Sequence, residues 1–111
     1  MSDPRMALTD AKSRLTALAR SAPALMQSFA GLSRAATTPG QFSSAQKELI
    51  AVAMAVTKGC EDCILYHLDA ARKHGADEAA LIEVLEIAVE MGGGPSVMYG
   101  AKALEAWRTL A

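Results

Sequence analysis

Cys60-Glu61-Asp62-Cys63 holds the chain's two cysteines, directly after Gly59. Gly59 reads as a helix stop, so the pair falls on the first turn of the next helix, where both sulfurs are close enough to form a disulfide. A helix start offers unpaired backbone N–H groups and the positive end of the macrodipole, and both favour thiolate, the reactive form of cysteine. His67 stands four residues after Cys63, which sets the two side chains one above the other on a helix face. An imidazole there can take the thiol proton or stabilise the thiolate. Glu48 is the fourth candidate. Along an antiparallel helix pair Glu48 lies about 15 Å from the turn and His67 about 10 Å, an offset of roughly 5 Å that long side chains or one water can bridge. A carboxylate so placed orients the imidazole and accepts a relayed proton. Glu61 and Asp62, between the cysteines, act the other way, since like charge beside a thiol raises its pKa.

Each residue also has a plainer role. Glu48 can complement the dipole in the first turn of its helix, and His67 can be a half-buried histidine with its hydrogen bonds met. Two cysteines with His67 and Glu48 would also make four zinc ligands. Haem attachment fails because the residue after Cys63 is Ile64.

The elements that must position this set are helices. Alanine supplies 23 residues and the β-branched Val, Ile and Thr together 15, which favours closely packed helices over strands. Punctuation gives about six. Thr9 or Asp10 caps a first helix with Leu8, Ala11, Leu15 and Leu18 in helical period. Pro23 opens a second, with Leu25, Phe29 and Leu32 on one face. Thr37 to Gln41 is a linker. Ser43 and Gln46 have the spacing of a capping box at the start of a third helix that ends at Gly59. A fourth runs from about Cys60 to His74, a fifth from Asp77 to about Met91, and a sixth from Pro95 to about Leu110. Leu49 to Val56 shows water no polar face, so the third helix is expected to be buried all round, most easily with a second subunit over part of it. Met26, Met54, Met91 and Met98 read as core. Glu83, Glu86 and Glu90 read as a solvated stripe, and Gly92-Gly93-Gly94-Pro95 as a helix stop and restart. His74 reads as a helix-end residue.

The constellation Glu48-x11-Cys60-x2-Cys63-x3-His67 resembles the active-site motif of the alkylhydroperoxidase AhpD-like proteins, within the carboxymuconolactone decarboxylase superfamily. Cys63-Ile64-Leu65-Tyr66-His67, His74-Gly75-Ala76, Met91-Gly92-Gly93-Gly94-Pro95 and Tyr99-Gly100-Ala101 are similar to the family's segments, and the likeness spans about residues 44–107 of one domain covering 1–111. The resemblance implies an all-α, six-helix, AhpD-like bundle that assembles into homotrimers or homohexamers and reduces hydroperoxides through its cysteine pair. Cys63 would be the peroxidatic thiol, served by a relay through His67 and Glu48, and Cys60 the resolving thiol. The reductant would be a dithiol, in the founding branch a lipoylated protein, and no metal or organic cofactor would be needed. A general thiol-disulfide oxidoreductase, a carboxymuconolactone decarboxylase-type lyase and a purely interacting or metal-binding helical oligomer are the other classes. The cysteine pair argues against the lyase.

Length and composition fit this reading. The 111 residues suit one domain. Eleven Lys and Arg against twelve Asp and Glu leave a net charge of −1 without a basic run, which removes nucleic acid as an expected partner. A hydrophobic fraction of 51% excludes wholesale disorder. No apolar run approaches the ~18–20 residues of a membrane span, and the first residues lack a signal-peptide core. The expectation is a soluble cytoplasmic protein.

Overall fold

A computed structural model describes residues 3–111, and among these there are six helices and no strand. They are α1 (Pro4–Ser21), α2 (Pro23–Thr37), α3 (Ser44–Lys58), α4 (Glu61–Lys73), α5 (Glu78–Gly92) and α6 (Gly94–Thr109). The start of α1 corrects the expected cap. Asp3 accepts from the Arg5 N–H at 3.0 Å and Pro4 occupies the first turn, so Thr9 and Asp10 lie inside the helix. Proline at the first position needs no N–H partner and an aspartate before it supplies the cap, which makes the earlier start the more stable one.

The other boundaries follow local chemistry. Ser43 Oγ accepts from the Gln46 N–H at 3.1 Å and the Ser43 N–H donates to Gln46 Oε1 at 2.8 Å, completing the capping box of α3. Asp77 accepts from the Ala80 N–H at 2.8 Å to open α5. Gly93, at φ +70°, ends α5, and Pro95 lies in the first turn of α6. Gly92 is forced by packing, because a Cβ there would stand 1.8 Å from Ser96 Oγ and 2.9 Å from its Cβ.

The core gathers around α3. Leu49, Val52, Ala55 and Val56 pack with Ile64, Leu65 and Leu68 of α4, Leu81, Leu85 and Ala88 of α5, and Ala103, Ala106 and Trp107 of α6. Small alanines at the crossings let these helices approach closely, while leucines fill the space between them. The α3 and α4 helices form the most intimate pair, and they carry the candidate residues. Arg72 near the end of α4 stacks on the Trp107 ring, 3.7 Å from its centroid, and donates to the Trp107 carbonyl.

The apolar surface exceeds what one chain covers. Ile50 and Met54 leave α3 on the side away from the core, Met54 being 60% exposed, so α3 is not enclosed all round within a single chain. Met54 lies two residues from both Val52 and Val56, about 200° around the helix, and these two valines take the inward face. Met91 and Met98 are likewise exposed and Met26 is half-buried. Apolar neighbours in sequence do not put a helical residue on the inner side. The α2 helix buries no residue at all, and its face of Leu25, Phe29 and Leu32 is open. Glu83, Glu86 and Glu90 are exposed as expected, and His74 is the C-cap of α4.

Candidate active site

The α3–α4 turn is built with no spare residue. Gly59 adopts the left-handed conformation at φ +71°, its N–H donating to the Val56 carbonyl at 3.2 Å, while the Cys60 N–H donates to the Ala55 carbonyl at 3.1 Å. These two hydrogen bonds are the Schellman closure of α3. Cys60 is at once the N-cap of α4, with its carbonyl accepting from Ile64 and its Sγ from the Cys63 N–H at 3.2 Å. A Cβ on Gly59 would meet the Tyr99 ring of α6 at 3.2 Å, so glycine is required both by the backbone angle and by the ring against it.

Cys60 and Cys63 are joined as a disulfide, their Cα atoms 5.2 Å apart. Cys60 is half-buried and Cys63 exposed. Cys60 is the more enclosed of the two because Gly59 and Cys60 are tucked into the closure of α3, whereas Cys63 lies nearly a turn further on.

Glu48 and His67 meet directly. Glu48 Oε1 lies 2.7 Å from His67 Nδ1, so the two side chains bridge the axial offset without a water between them. Glu48 is buried and His67 half-buried. A carboxylate only accepts, so the ring hydrogen sits on Nδ1 and Nε2 of the neutral imidazole is left as the base. Tyr66 meets the His67 ring edge-on, with centroids 5.4 Å apart. The four candidates thus lie on two adjacent helices, two in the turn and two in the facing walls below it.

Glu61 and Asp62 are both matched by cations. Lys102 Nζ of α6 is 2.5 Å from Glu61 Oε1, and an Arg14 terminal nitrogen of α1 is 2.9 Å from Asp62 Oδ2. The hydrogen bond to Glu61 holds the Lys102 ammonium above its ordinary pKa. Lys102 and Arg14 were not legible as site residues, being 41 and 48 residues away from their partners; the only sequence signal nearby was the Tyr99-Gly100-Ala101 segment. Among the described residues no group of three or more His, Cys, Asp or Glu side chains is placed to hold a metal ion.

The carboxymuconolactone decarboxylase family profile matches residues 23–106, from the start of α2 into the last turns of α6. An uncharacterized protein of Cupriavidus necator is 52% identical, the match covering 86% of this chain and 91% of that one. An uncharacterized protein of the cox locus of Paracoccus denitrificans is 30% identical over 89% of each. Among solved structures, an apo carboxymuconolactone decarboxylase family protein of Legionella pneumophila superposes with a TM-score of 0.92 at 41% identity, covering 97% of this chain and 96% of its own. A Thermotoga maritima protein superposes with a TM-score of 0.81 at 27% identity, over 93% and 91%. With α2 to α5, most of α6, the cysteine turn and the Glu48–His67 pair inside residues 23–106, the chain belongs to the carboxymuconolactone decarboxylase family.

Proposed function

We propose that the protein is a thiol-dependent hydroperoxide reductase of the AhpD-like kind. The observation that carries the reading is a redox-capable cysteine pair at the start of the same helix that, one turn past Cys63, holds a carboxylate-oriented imidazole. In the reduced protein His67, backed by Glu48, takes the Cys63 proton. The thiolate attacks the hydroperoxide; an S–O bond forms, the O–O bond breaks, and the departing alkoxide takes a proton to leave as alcohol. Cys63 is then a sulfenic acid. The Cys60 thiol attacks that sulfur, the S–S bond forms, and water leaves. A dithiol such as dihydrolipoamide gives up two electrons and two protons, restoring both thiols and closing its own disulfide.

The exposure of Cys63 makes it the sulfur for an incoming dithiol as well as for peroxide. That same exposure favours the second reading, a general thiol-disulfide oxidoreductase. A lyase reading gains nothing from a cysteine pair. The deciding experiment follows hydroperoxide loss with dihydrolipoamide as donor, beside the Cys60→Ser/Cys63→Ser protein. Cysteine-dependent turnover supports the reductase; exchange with dithiols but no peroxide loss moves the protein to the oxidoreductase class.

The open α2 face and an apolar groove of about 370 Å³ between α3 and α5, lined by Ile50, Met54, Val84, Ile87 and Met91, support assembly into a homo-oligomer, a trimer or hexamer by the family resemblance. Apolar area of this extent is characteristically covered by a partner. Light scattering at micromolar concentration tests it, and a mass near the 11.6 kDa of one chain would refute it. No helix among the described residues is long and apolar enough to cross a membrane; the cytoplasm remains the proposed location, on the thiol chemistry.

A further inference from the structure

We propose that Lys102 of α6, seconded by Arg14 of α1, is a positioning residue that sets the thiolate content of the Cys60/Cys63 pair by cancelling the charge of the acidic dipeptide between them. The inference rests on the redox reading of the pair. Its first ground is the sequence itself: two carboxylates between two cysteines raise thiol pKa values and oppose the helix dipole that would lower them. A site that depends on thiolate needs those charges answered.

The structure answers each one separately. Lys102 reaches Glu61 at 2.5 Å and Arg14 reaches Asp62 at 2.9 Å, from two different helices. The Lys102 pair spans an apolar seam between α4 and α6, lined by Ile64, Leu65 and Ala106 and too narrow to admit water. One side of the ion pair therefore rests on apolar protein rather than on water. Lys102 is held there by a further contact, its ammonium lying 5.5 Å from the centroid of the Tyr99 ring. Tyr99 is the same ring that backs Gly59, so the cation and the turn share one support. The Arg14–Asp62 pair is more exposed, at 62% and 56% of the side chains against 41% and 39% for Lys102–Glu61, and so contributes less and is more sensitive to salt.

The charged groups around the pair come from four helices: Arg14 of α1, Glu48 and Lys58 of α3, Glu61, Asp62 and His67 of α4, and Lys102 of α6. Of these, Glu48 and His67 answer one another, and Lys102 and Arg14 answer the dipeptide. Removing Lys102 leaves the Glu61 charge one residue from Cys60 and disfavours any thiolate in the turn. Removing Glu61 leaves the ammonium uncancelled and favours it.

The test is the pH midpoint of iodoacetamide alkylation of the reduced full-length protein, read at each cysteine by mass spectrometry. Lys102→Met should raise the midpoint of the faster thiol by about half to one pH unit, a three- to tenfold loss of thiolate below it. Glu61→Gln should lower it, Lys102→Met/Glu61→Gln should return close to wild type, and Lys102→Arg should keep the wild-type value. Arg14→Met should move it upward by less, and less still at high salt. A contact that only braces the turn would send Lys102→Met and Glu61→Gln in the same direction, and that result overturns the proposal, as does an unmoved midpoint in Lys102→Met. Opposite shifts in a protein that consumes no hydroperoxide would sustain the tuning role while removing the reductase reading.

Discussion

Glu48 on α3 and His67 on α4, nineteen residues apart in the chain, share a 2.7 Å hydrogen bond with the carboxylate buried and the ring half-open to solvent. A buried carboxylate that lost this partner would be left without compensation, so the bond fixes both the ring's orientation and its tautomer. The inner end of the pair is rigid, and the outer nitrogen is the one available for proton transfer.

Replacing Glu48 by Gln keeps size and a hydrogen-bond acceptor but removes the charge that steadies a protonated ring. Glu48→Gln should melt close to wild type and slow the reaction of Cys63 with peroxide on the order of 10²-fold. Thermal melting beside stopped-flow peroxide reduction checks both halves. An unchanged rate near neutral pH would reduce Glu48 to a packing residue.

The two cysteines should separate in single-turnover chemistry. His67 shares a helical face with Cys63 at four residues and stands seven from Cys60. Cys60→Ser should therefore still react once with a hydroperoxide and leave a sulfenic acid on Cys63 that a dimedone-type probe labels, while Cys63→Ser should label almost nothing. Because Cys63 is the exposed member, a mixed disulfide with a monothiol donor should also form on Cys63, and peptide mapping that finds it on Cys60 would reverse the assignment.

Glycine is required at two positions for different reasons. Gly59→Ala must hold a side chain at φ +71° and press it to 3.2 Å from the Tyr99 ring, and should cost about 1–2 kcal/mol for the backbone alone. Gly92→Ala places its methyl 2.9 Å from Ser96 Cβ; no rotation of Ser96 relieves that contact, and the cost should be about 1–3 kcal/mol. Denaturant titrations give both values, and a Gly92→Ala protein as stable as wild type would show that α5 and α6 can part there.

Acid should weaken the attachment of α1. Burial pushes the Asp69 carboxyl up, but hydrogen bonds from Lys12 of α1 at 2.9 Å and from Lys73 at 3.0 Å outweigh it and hold the group below its ordinary value of 3.8. A folded-state pKa below the unfolded one gives stability that is fully present above 3.8 and is lost as pH falls through the depressed folded value. Since Lys73 is largely exposed and Lys12 partly so, the contribution is no more than about 1 kcal/mol. Asp69→Asn should therefore be less stable than wild type by that amount at pH 7 and indistinguishable from it near pH 2, as measured by urea midpoints.

Apart from the start of α1, the helix ends were legible in the sequence because capping is local. Ser43 with Gln46, Gly59, Asp77 and the Gly93–Pro95 restart each act through residues within four positions of one another, and the structure places each where its spacing indicates. The catalytic candidates were legible for a similar reason: the cysteine pair and His67 share one helix, and Glu48 needed only the axial count along one antiparallel pair. What spacing does not carry is the rotation of each helix about its axis. Met54, Met91 and Met98 face outward because Val52 with Val56, Ala88, and Ser96 with Gly100 take the inward positions. Nor does it carry ion pairs between remote helices, so Glu61 and Asp62 read as bare charges until Lys102 and Arg14 are seen beside them.

Trp107, the single tryptophan, is clamped by Arg72, whereas the cysteine pair occupies the opposite end of α4, about 14 Å away along the axis. Opening the disulfide should be felt within one helical turn and leave that clamp in place. Indole emission is then expected to match in oxidised and reduced protein and to change when α4 and α6 separate, which emission spectra before and after dithiol treatment check. The molecule would thus carry an optical gauge of folding that the redox cycle does not disturb, with oxidised and reduced protein titrated by urea on one common fluorescence scale.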